Sequence, residues 1–388
     1  QKALALSQKG LPYYCSELVP ALKMLAGGTL RPEVNSALYA VLESRGHGAE
    51  ADGVLKREEE FKHISGGRRL FSSKTGSVSA TLLEQYFSCP YKNFAAQGLK
   101  LNERPEGSVQ PRETGNLIHE VLKELASAIP SIGSEDEARS WGAEQAEKLF
   151  ASPDYSQLAE GVSGKYFKSR LCAEAAAVSA GVYRQLAASN FKIRGVERWY
   201  YMPVGDGVSA GGKVDRIDEC EDMVRVIDYK TGKISYTAEE YYAGIKLQLP
   251  LYLLAASKGK RPAGAYYFPA NIEFSDKPSG DFTLKGFMDC GADVVHNSDT
   301  TISDKQRSAF VDAYLNGRKL TGNLTEEDFA YFIEYSALIA RRGAAEMFGG
   351  NISPSPYVGA CEYCRMGGMC GFAAGLENTP RCVEGVTC

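Results

Sequence analysis

The stretch GGKVDRIDECEDMVRVIDYKTGK, residues 211–233, mixes branched apolar residues with an unusual number of charges. Its alternation of apolar and charged positions is typical of two strands joined by a short turn. Because side chains alternate across a strand, Asp228 and Lys230 share one face of the second strand. If the two strands pair through the turn ECEDM, Asp215 of the first strand converges with Asp228. The sequence therefore predicts a hairpin that brings two carboxylates and a lysine together.

Two carboxylates that lie close together repel each other in a low-dielectric setting, and a hard divalent cation relieves that repulsion. Mg²⁺ typically binds one or two carboxylates together with water and phosphate oxygens. Lys230 can orient or deprotonate a metal-bound water, or stabilise charge that develops on a phosphorus centre. This set suits hydrolysis of a phosphodiester. An exposed Asp228–Lys230 salt bridge is the common alternative, and the hairpin alone leaves both interpretations open.

The composition is that of a folded protein, with 388 residues, 44% hydrophobic and 24% charged. The net charge of -4 gives no global sign of nucleic-acid binding, so any contact with DNA requires a local basic surface. No stretch has the apolar length of a membrane span, and the N-terminus has no signal-peptide pattern. Ten cysteines without a secretion signal favour a reducing, cytoplasmic compartment and metal ligation over a disulfide framework.

The order of predicted elements indicates a mixed α/β fold. Helical pieces are expected in residues 12–60, and a polar connector follows at 63–77. Ser79 is expected to cap a helix through ATLLEQYF, and apolar spacing predicts a helix over 115–129. More helix is expected over residues 135–190. The predicted hairpin follows, then a helix over 238–259, a strand in AGAYYFPA, and a return to helices over 304–348.

The motifs GKVDRID, DYKTGK and LQLPLYLLA, in this order, resemble those of the PD-(D/E)XK nucleases of the RecB type. The resemblance implies a restriction-endonuclease-like core, in which a mixed central sheet is flanked by helices. It also implies catalytic roles for five residues, namely Asp215, Asp228, Lys230, Gln248 and Tyr252. Gln248 and Tyr252 are four residues apart on a predicted helix, so they address the same groove.

The same resemblance gives a role to a histidine on the helix TGNLIHEVL. Without the other motifs, His119 is typical of a helix histidine that has no special role. In the family this position binds metal, so the resemblance implies that His119, Asp215 and Asp228 hold Mg²⁺ or Mn²⁺ with help from the Tyr229 carbonyl. Glu120 is a candidate neighbour of this site. Glu197, in VERWY, either lines the site or forms a salt bridge at a strand edge.

Three cysteines stand together near the C-terminus in CEYCRMGGMC, residues 361–370. This C-x2-C-x5-C pattern is a good metal-binding signal, but tetrahedral sites and cubane clusters require four ligands. The fourth is either Cys382, which would close a local zinc knuckle, or the distant Cys89 in YFSCPYKNFAAQGLKL.

The sequence around these cysteines resembles the iron–sulfur staple of AddB-type helicase–nuclease subunits. In that family one cysteine precedes the nuclease core and three follow it. The resemblance implies a 4Fe–4S cluster held by Cys89, Cys361, Cys364 and Cys370. It further implies an exonuclease subunit that pairs with an AddA-like helicase–nuclease and digests single-stranded DNA in double-strand break repair.

The chain begins at Gln1, and no G-x4-G-K-[ST] phosphate loop is found in it. We therefore expect residues 1–75 to be the tail of a preceding helicase-like region or an N-terminal helical extension, and residues 76–388 to be a nuclease domain closed by an iron–sulfur cluster. Two alternatives stay open. One is a nuclease-fold module that binds DNA without cutting it, and the other is a stand-alone iron–sulfur nuclease of the CRISPR-associated type.

Overall fold

The computed structural model describes residues 17–26, 32–60, 62–71, 76–101, 111–205, 207–272, 281–317, 319–322, 324–370, 372 and 381. The chain forms two compact units. The first comprises Gln1–Glu103, Glu239–Ile245 and Ile339–Cys388, and the second comprises Arg104–Ala238 and Lys246–Leu338. Among the described residues, no helix has the length and apolarity needed to cross a membrane.

The helices are α1 (Leu18–Ala26), α2 (Pro32–Ser44), α3 (Gly48–Glu60), α4 (Gly67–Phe71), α5 (Ala80–Ser88), α6 (Pro90–Asn93), α7 (Pro111–Ala128), α8 (Glu135–Phe150), α9 (Gly161–Ala187), α10 (Ala238–Tyr242), α11 (Gln248–Ser257), α12 (Ala292–Ser298), α13 (Glu326–Phe348) and α14 (Gly367–Cys370). The strands are β1 (Ser77–Ser79), β2 (Lys192–Gly205), β3 (Val208–Cys220), β4 (Met223–Lys230), β5 (Arg261–Pro269), β6 (Lys285–Met288), β7 (Gln306–Arg307), β8 (Ala313–Asn316) and β9 (Lys319–Gly322).

A mixed sheet forms the centre of the second unit. Strands β2, β3 and β4 pair antiparallel in that order, β4 pairs parallel with β5, and β5 pairs antiparallel with β6. The parallel pair requires a crossover between β4 and β5. Helix α11 lies in this crossover and packs on β2, β3, β4 and β5. The predicted α/β core with a mixed central sheet flanked by helices is confirmed.

The predicted hairpin is formed by β3 and β4. Cys220 pairs with Met223, so the turn between the strands is only two residues long. Glu221, in this turn, has a left-handed φ of 55°, as tight hairpin turns require. At the other end of the ladder Arg216 pairs with Ile227, which sets Asp215 and Asp228 side by side at the end of the paired segment.

Helices α7, α8 and α9 supply the rest of this unit's core. Their apolar residues pack with those of β4 and β5 in one continuous cluster, in which Leu117, Val121 and Phe268 are fully buried. Helices α8 and α9 approach closely at Gly142, where a Cβ atom would lie 2.6 Å from the Ala175 carbonyl oxygen. A larger residue at this position would force the helices apart.

Two predicted helical segments differ from the structure. Residues 238–259 form two helices, since the chain turns at Gly244 with a φ of 77° before α11 begins. Among the described residues of 304–348, strands β7, β8 and β9 form a three-stranded sheet rather than helix, and only α13 is helical. Asn316 pairs with Lys319 where β8 turns into β9, and Gly317 in this turn has a left-handed φ of 62°, which glycine adopts without strain.

Helices α1 to α3 of the first unit pack around a small core that contains Leu25, Leu38 and Leu42. The predicted cap of α5 is confirmed, since the Leu82 N–H donates to the Ser79 hydroxyl at 3.1 Å. The C-terminal segment returns to the end of α5, where the Tyr357 N–H donates to the Ser88 carbonyl at 2.8 Å. This backbone contact brings the C-terminal cysteines alongside Cys89.

Candidate functional site

Three side chains from three elements of the second unit converge on one point. His119 lies on α7, Glu197 on β2 and Asp215 on β3, and their potential ligand atoms all lie within 4.8 Å of one another. His119 Nδ1 is 3.5 Å from Asp215 Oδ2. An imidazole nitrogen with two carboxylates is a donor set that suits Mn²⁺ and also accepts Mg²⁺.

Strand pairing explains why Glu197 meets Asp215. Val196 pairs with Arg216 and Arg198 with Val214, so Glu197 lies opposite Asp215 in the antiparallel register. Glu197 has a φ of 54° in the left-handed region, which non-glycine residues rarely occupy and which is energetically unfavourable. Strained residues of this kind concentrate at functional sites.

Tyr229 of β4 contacts both Asp215 and His119. Its backbone N–H donates to Asp215 Oδ2 at 2.9 Å. Its ring meets the His119 ring edge-to-face, with centroids 6.0 Å apart and planes at 89°. Tyr229 therefore fixes the orientation of two of the three converging groups.

Asp228 is buried beside this group but is held by other partners. Gln248 Nε2 donates to Asp228 Oδ1 at 2.8 Å, and Lys230 Nζ lies 2.6 Å from Asp228 Oδ2. The sequence prediction of a shared face for Asp228 and Lys230 therefore agrees with the structure. Among the described residues, the group whose potential ligand atoms lie within 4.8 Å of one another contains Glu197, whereas the sequence predicted Asp228 as its third member.

The electrostatics of the site indicate an excess of negative charge. The pKa of Asp215 is well above its usual value, first because the carboxyl is buried and then because Asp228 and Glu197 lie nearby. Burial lowers the pKa of His119, which favours the neutral imidazole that metals bind. A divalent cation would relieve the repulsion among these carboxylates, so the residues present fit a metal ion.

Tyr252, the second catalytic residue that the sequence predicted on the crossover helix α11, does not have the same neighbour as Gln248. Tyr252 is buried on α11, and its hydroxyl lies over Gly212 of β3, where a Cβ atom would be only 2.5 Å from the oxygen. Gln248 therefore reaches Asp228, whereas Tyr252 packs against the first strand of the hairpin. Glu120, the neighbour of His119, pairs with Lys123 at 2.5 Å on the surface of α7.

A buried ion network behind the hairpin was not predicted from the sequence. Arg216, Asp218 and Arg225 are each fully buried. Asp218 accepts from Arg216 at 2.7 and 2.6 Å and from Arg225 at 3.0 Å. Arg216 also donates to Gln185 of α9 at 2.8 Å and lies next to the Tyr229 side chain. The network therefore lies against the Tyr229 side chain.

A second group of chemically active residues lies in the first unit. Cys89, Cys361, Cys364 and Cys370 line one recess. The structure thus brings the distant Cys89 to the three C-terminal cysteines. The other predicted candidate, Cys382, lies outside the described residues.

The sulfur atoms in this recess interact electrostatically. Burial raises the pKa of Cys361, and the charges of Cys364, Cys89 and Cys370 raise it further. Burial also raises the pKa of Cys89, against hydrogen bonds from the backbone of Lys92, Tyr91 and Ser355. Thiolates gathered in this way repel one another unless a cation holds them, so the four cysteines fit a metal centre.

The comparisons with known proteins agree with this geometry. The family model described as the PD-(D/E)XK nuclease superfamily matches residues 77–371. One subunit of the ATP-dependent helicase/deoxyribonuclease of Caldanaerobacter subterraneus subsp. tengcongensis is 28% identical over 392 residues, covering 87% of this chain and 33% of that protein.

The corresponding helicase/deoxyribonuclease subunits of two other bacteria are also similar. That of Carboxydothermus hydrogenoformans is 28% identical over 79% of this chain, and that of Clostridioides difficile is 26% identical over 79%. These alignments cover 32% and 31% of the relatives, so the chain spans about a third of their length. Because the family model matches most of the chain, the chain belongs to the PD-(D/E)XK nuclease superfamily.

Proposed function

We propose that the second unit is a metal-dependent deoxyribonuclease that hydrolyses phosphodiester bonds. The observation that carries the proposal is the convergence of His119, Glu197 and Asp215 within 4.8 Å, next to the Asp228–Lys230 pair. This arrangement combines a negatively charged metal-binding group with an amine positioned beside it. The family to which the chain belongs supports the proposal.

A bound Mg²⁺ or Mn²⁺ would supply Lewis acidity toward a phosphate oxygen and a water of lowered pKa. His119 and Asp215 would hold it, joined by Glu197 or Asp228 and by the Tyr229 carbonyl. Tyr229 keeps Asp215 in place through its backbone N–H. Gln248 orients Asp228 by a hydrogen bond to one carboxylate oxygen, and Tyr252 packs the helix of Gln248 against the sheet.

Lys230 has the geometry to act on the attacking water or on the phosphate. Its amine lies 2.6 Å from Asp228 and its side chain is partly exposed, so a substrate can reach it. A cation at this position stabilises the negative charge that develops on the phosphorus centre. The Asp228 carboxylate therefore has two tasks, namely to position the amine and to add charge to the metal site.

The substrate, the partner and the biological role belong to the same proposal. The relatives are named as subunits of an ATP-dependent helicase/deoxyribonuclease. We expect this chain to act as an exonuclease on single-stranded DNA during double-strand break repair, in the cytoplasm, paired with an AddA-like helicase–nuclease subunit. The family match over residues 77–371 supports a nuclease domain over 76–388, and residues 1–75 are proposed to be the tail of a preceding helicase-like region or an N-terminal helical extension.

The four-cysteine recess is proposed to bind a 4Fe–4S cluster. Four thiolates in one recess match the ligand number of such a cluster. Cys89 and Cys361 are 272 positions apart in the chain, so a cluster that joins them closes a long loop and restricts the unfolded chain. We assign the cluster a structural role, in which it fastens the C-terminal segment to the end of α5.

The experiment that tests the nuclease proposal compares three proteins on end-labelled single-stranded DNA with Mg²⁺. We expect the wild-type chain to degrade the DNA, the Asp228→Asn variant to lose at least about a hundredfold in rate, and chelation of the metal to stop the reaction. The matched control is Asp222→Asn, because Asp222 is exposed in the turn of the same hairpin. Equal degradation by wild type and Asp228→Asn would refute the assignment.

A further inference from the structure

Two large aromatic side chains lie exposed and parallel on strand β2. Trp199 is 65% exposed and Tyr201 is 42% exposed. Their ring centroids are 6.0 Å apart and their planes differ by only 5°, a separation within the range of stacked aromatic pairs. Single exposed aromatic residues are common on protein surfaces, but two parallel, stacked rings form one ordered apolar surface, which we call the platform.

A short series of contacts leads from this platform to the candidate metal site. Trp199 lies directly opposite Lys213 in the antiparallel register, so both side chains project from the same face of the sheet. The amine of Lys213 contacts the carboxylate of Glu197, and Glu197 belongs to the group with His119 and Asp215. Lys213 therefore lies between Trp199 and the candidate metal site.

The distance along the strand suits a polymer that passes over both places. Trp199 and Tyr201 follow Glu197 by two and four positions, which corresponds to roughly 7 and 13 Å of strand. A nucleic-acid strand with one phosphate at the metal would carry its neighbouring bases over this part of β2. Unpaired bases stack on aromatic side chains without regard to sequence, and an adjacent lysine attracts the phosphates.

The geometry points to Trp199 and Tyr201 as a base-stacking platform that holds single-stranded DNA next to the candidate metal site. This inference rests on the proposed function, because it takes the site to cut DNA. Lys213 then has two roles, since it neutralises Glu197 when DNA is absent and faces the backbone of the bound strand. The platform selects single strands because the bases of a duplex have no free face to offer.

A protein is the other kind of partner that such a surface suits. Exposed tryptophan and tyrosine are enriched in protein interfaces. The proximity of the platform to the carboxylate group and its neighbouring amine favours the nucleic acid, because a protein seated on Trp199 would obstruct the approach to the proposed metal. The following experiment separates the two.

Tryptophan fluorescence reports stacking on Trp199 directly. The chain has only two tryptophans, and Trp141 packs partly buried against the core. In a Trp141→Phe background, emission therefore comes from Trp199 alone. We expect oligothymidylate, added in the presence of EDTA, to quench this emission, and an abasic strand of equal length and charge to leave it nearly unchanged.

Binding of the same labelled oligothymidylate, measured by anisotropy in EDTA, gives the energetic test. Trp199→Ala should weaken binding by roughly tenfold, Trp199→Phe should restore most of it, and Tyr201→Ala should have a smaller effect. The matched control is Tyr166→Ala, because Tyr166 is 71% exposed on α9 and should bind as wild type. Circular dichroism checks that each variant is folded.

The inference is overturned if oligothymidylate leaves Trp199 emission unchanged or if Trp199→Ala binds DNA like wild type. A Trp199 signal that responds to an added protein partner and not to DNA overturns it in favour of a protein interface. Because binding is measured without metal, these results do not depend on cleavage. Failure of the proposed function appears separately, as equal cleavage by wild type and Asp228→Asn.

Discussion

The backbone N–H of Tyr229 donates to the Asp215 carboxylate at 2.9 Å, so the two strands of the hairpin are joined at the candidate site by a side chain rather than by the ladder. The strand pairing ends at Arg216 and Ile227, one position before Asp215. At this point the ladder stops, and the Asp215 carboxylate lies close to His119 and Glu197. The site therefore lies where the pairing between β3 and β4 ends.

The buried network behind Tyr229 should dominate the stability of the hairpin. Asp218 is the carboxylate that Arg216 and Arg225 share, and its pKa is below the usual value because both guanidinium groups offset the effect of burial. Asp218→Asn leaves two buried cations without a counter-charge, which costs about 3–5 kcal/mol. The free energy of unfolding in urea measures this loss.

The control for this variant lies next to it in the same strand. Glu219 pairs with Lys260 at 2.5 Å, but both side chains are partly exposed, and such surface pairs contribute less than about 1 kcal/mol. Glu219→Gln should therefore unfold almost as wild type does. Similar losses for the two variants would contradict the importance given to the buried network.

Glu197 should contribute to metal affinity. Its carboxylate lies within 4.8 Å of the donor atoms of His119 and Asp215, so Glu197→Gln removes a negative charge from the group. We expect the Kd for Mn²⁺, measured by electron paramagnetic resonance of the free ion, to rise at least about tenfold. Glu120→Gln is the control, since Glu120 pairs with Lys123 on the surface. Equal Mn²⁺ affinity in both variants would remove Glu197 from the site.

The backbone of Glu197 gives a separate prediction about stability. Because its φ is 54°, alanine at this position keeps the left-handed strain, whereas glycine does not. Glu197→Gly should therefore be more stable than Glu197→Ala by about 1 kcal/mol, although glycine normally weakens a strand. Urea unfolding of the two variants measures the difference. A more stable alanine variant would show that Glu197 is not strained.

The hairpin shows how much of this fold a sequence can predict. Alternating apolar residues determine which faces Asp228 and Lys230 occupy, and a two-residue turn between Cys220 and Met223 sets the register. Helices α5 and α7 follow from a serine cap and from apolar spacing. Each of these features depends on neighbours within a few positions of the chain, which is the range that periodicity describes.

The features that the sequence does not predict depend on long-range contacts or on unusual backbone. The left-handed conformation of Glu197 has no signal in its residue type, so the sequence leaves its place beside Asp215 open. Arg216 and Asp218 alternate as surface charges would, but both are fully buried, and Arg216 donates to Gln185 of the distant helix α9. Strands β7 to β9 are short, and Gly317 in the turn between β8 and β9 is their clearest local signal.

The cysteine recess is tested by metal analysis of protein prepared without oxygen. We expect about four irons and about four acid-labile sulfides per chain in the wild type, and loss of most iron in Cys89→Ser. Cys220→Ser is the matched control, because Cys220 is equally buried but belongs to β3. One zinc and no iron in the wild type, or full iron in Cys89→Ser, would contradict the proposed cluster.

The most direct test of the central claim is an anomalous-scattering map of crystals grown with Mn²⁺. The account predicts one Mn²⁺ peak bonded to His119 and Asp215, with Glu197 or Asp228 completing the protein ligands and Lys230 beside it. The peak should disappear in Asp215→Asn crystals grown at the same Mn²⁺ concentration. A map with no peak between His119 and Asp215, or a peak that persists unchanged in Asp215→Asn, would contradict the proposed metal site and the nuclease mechanism built on it.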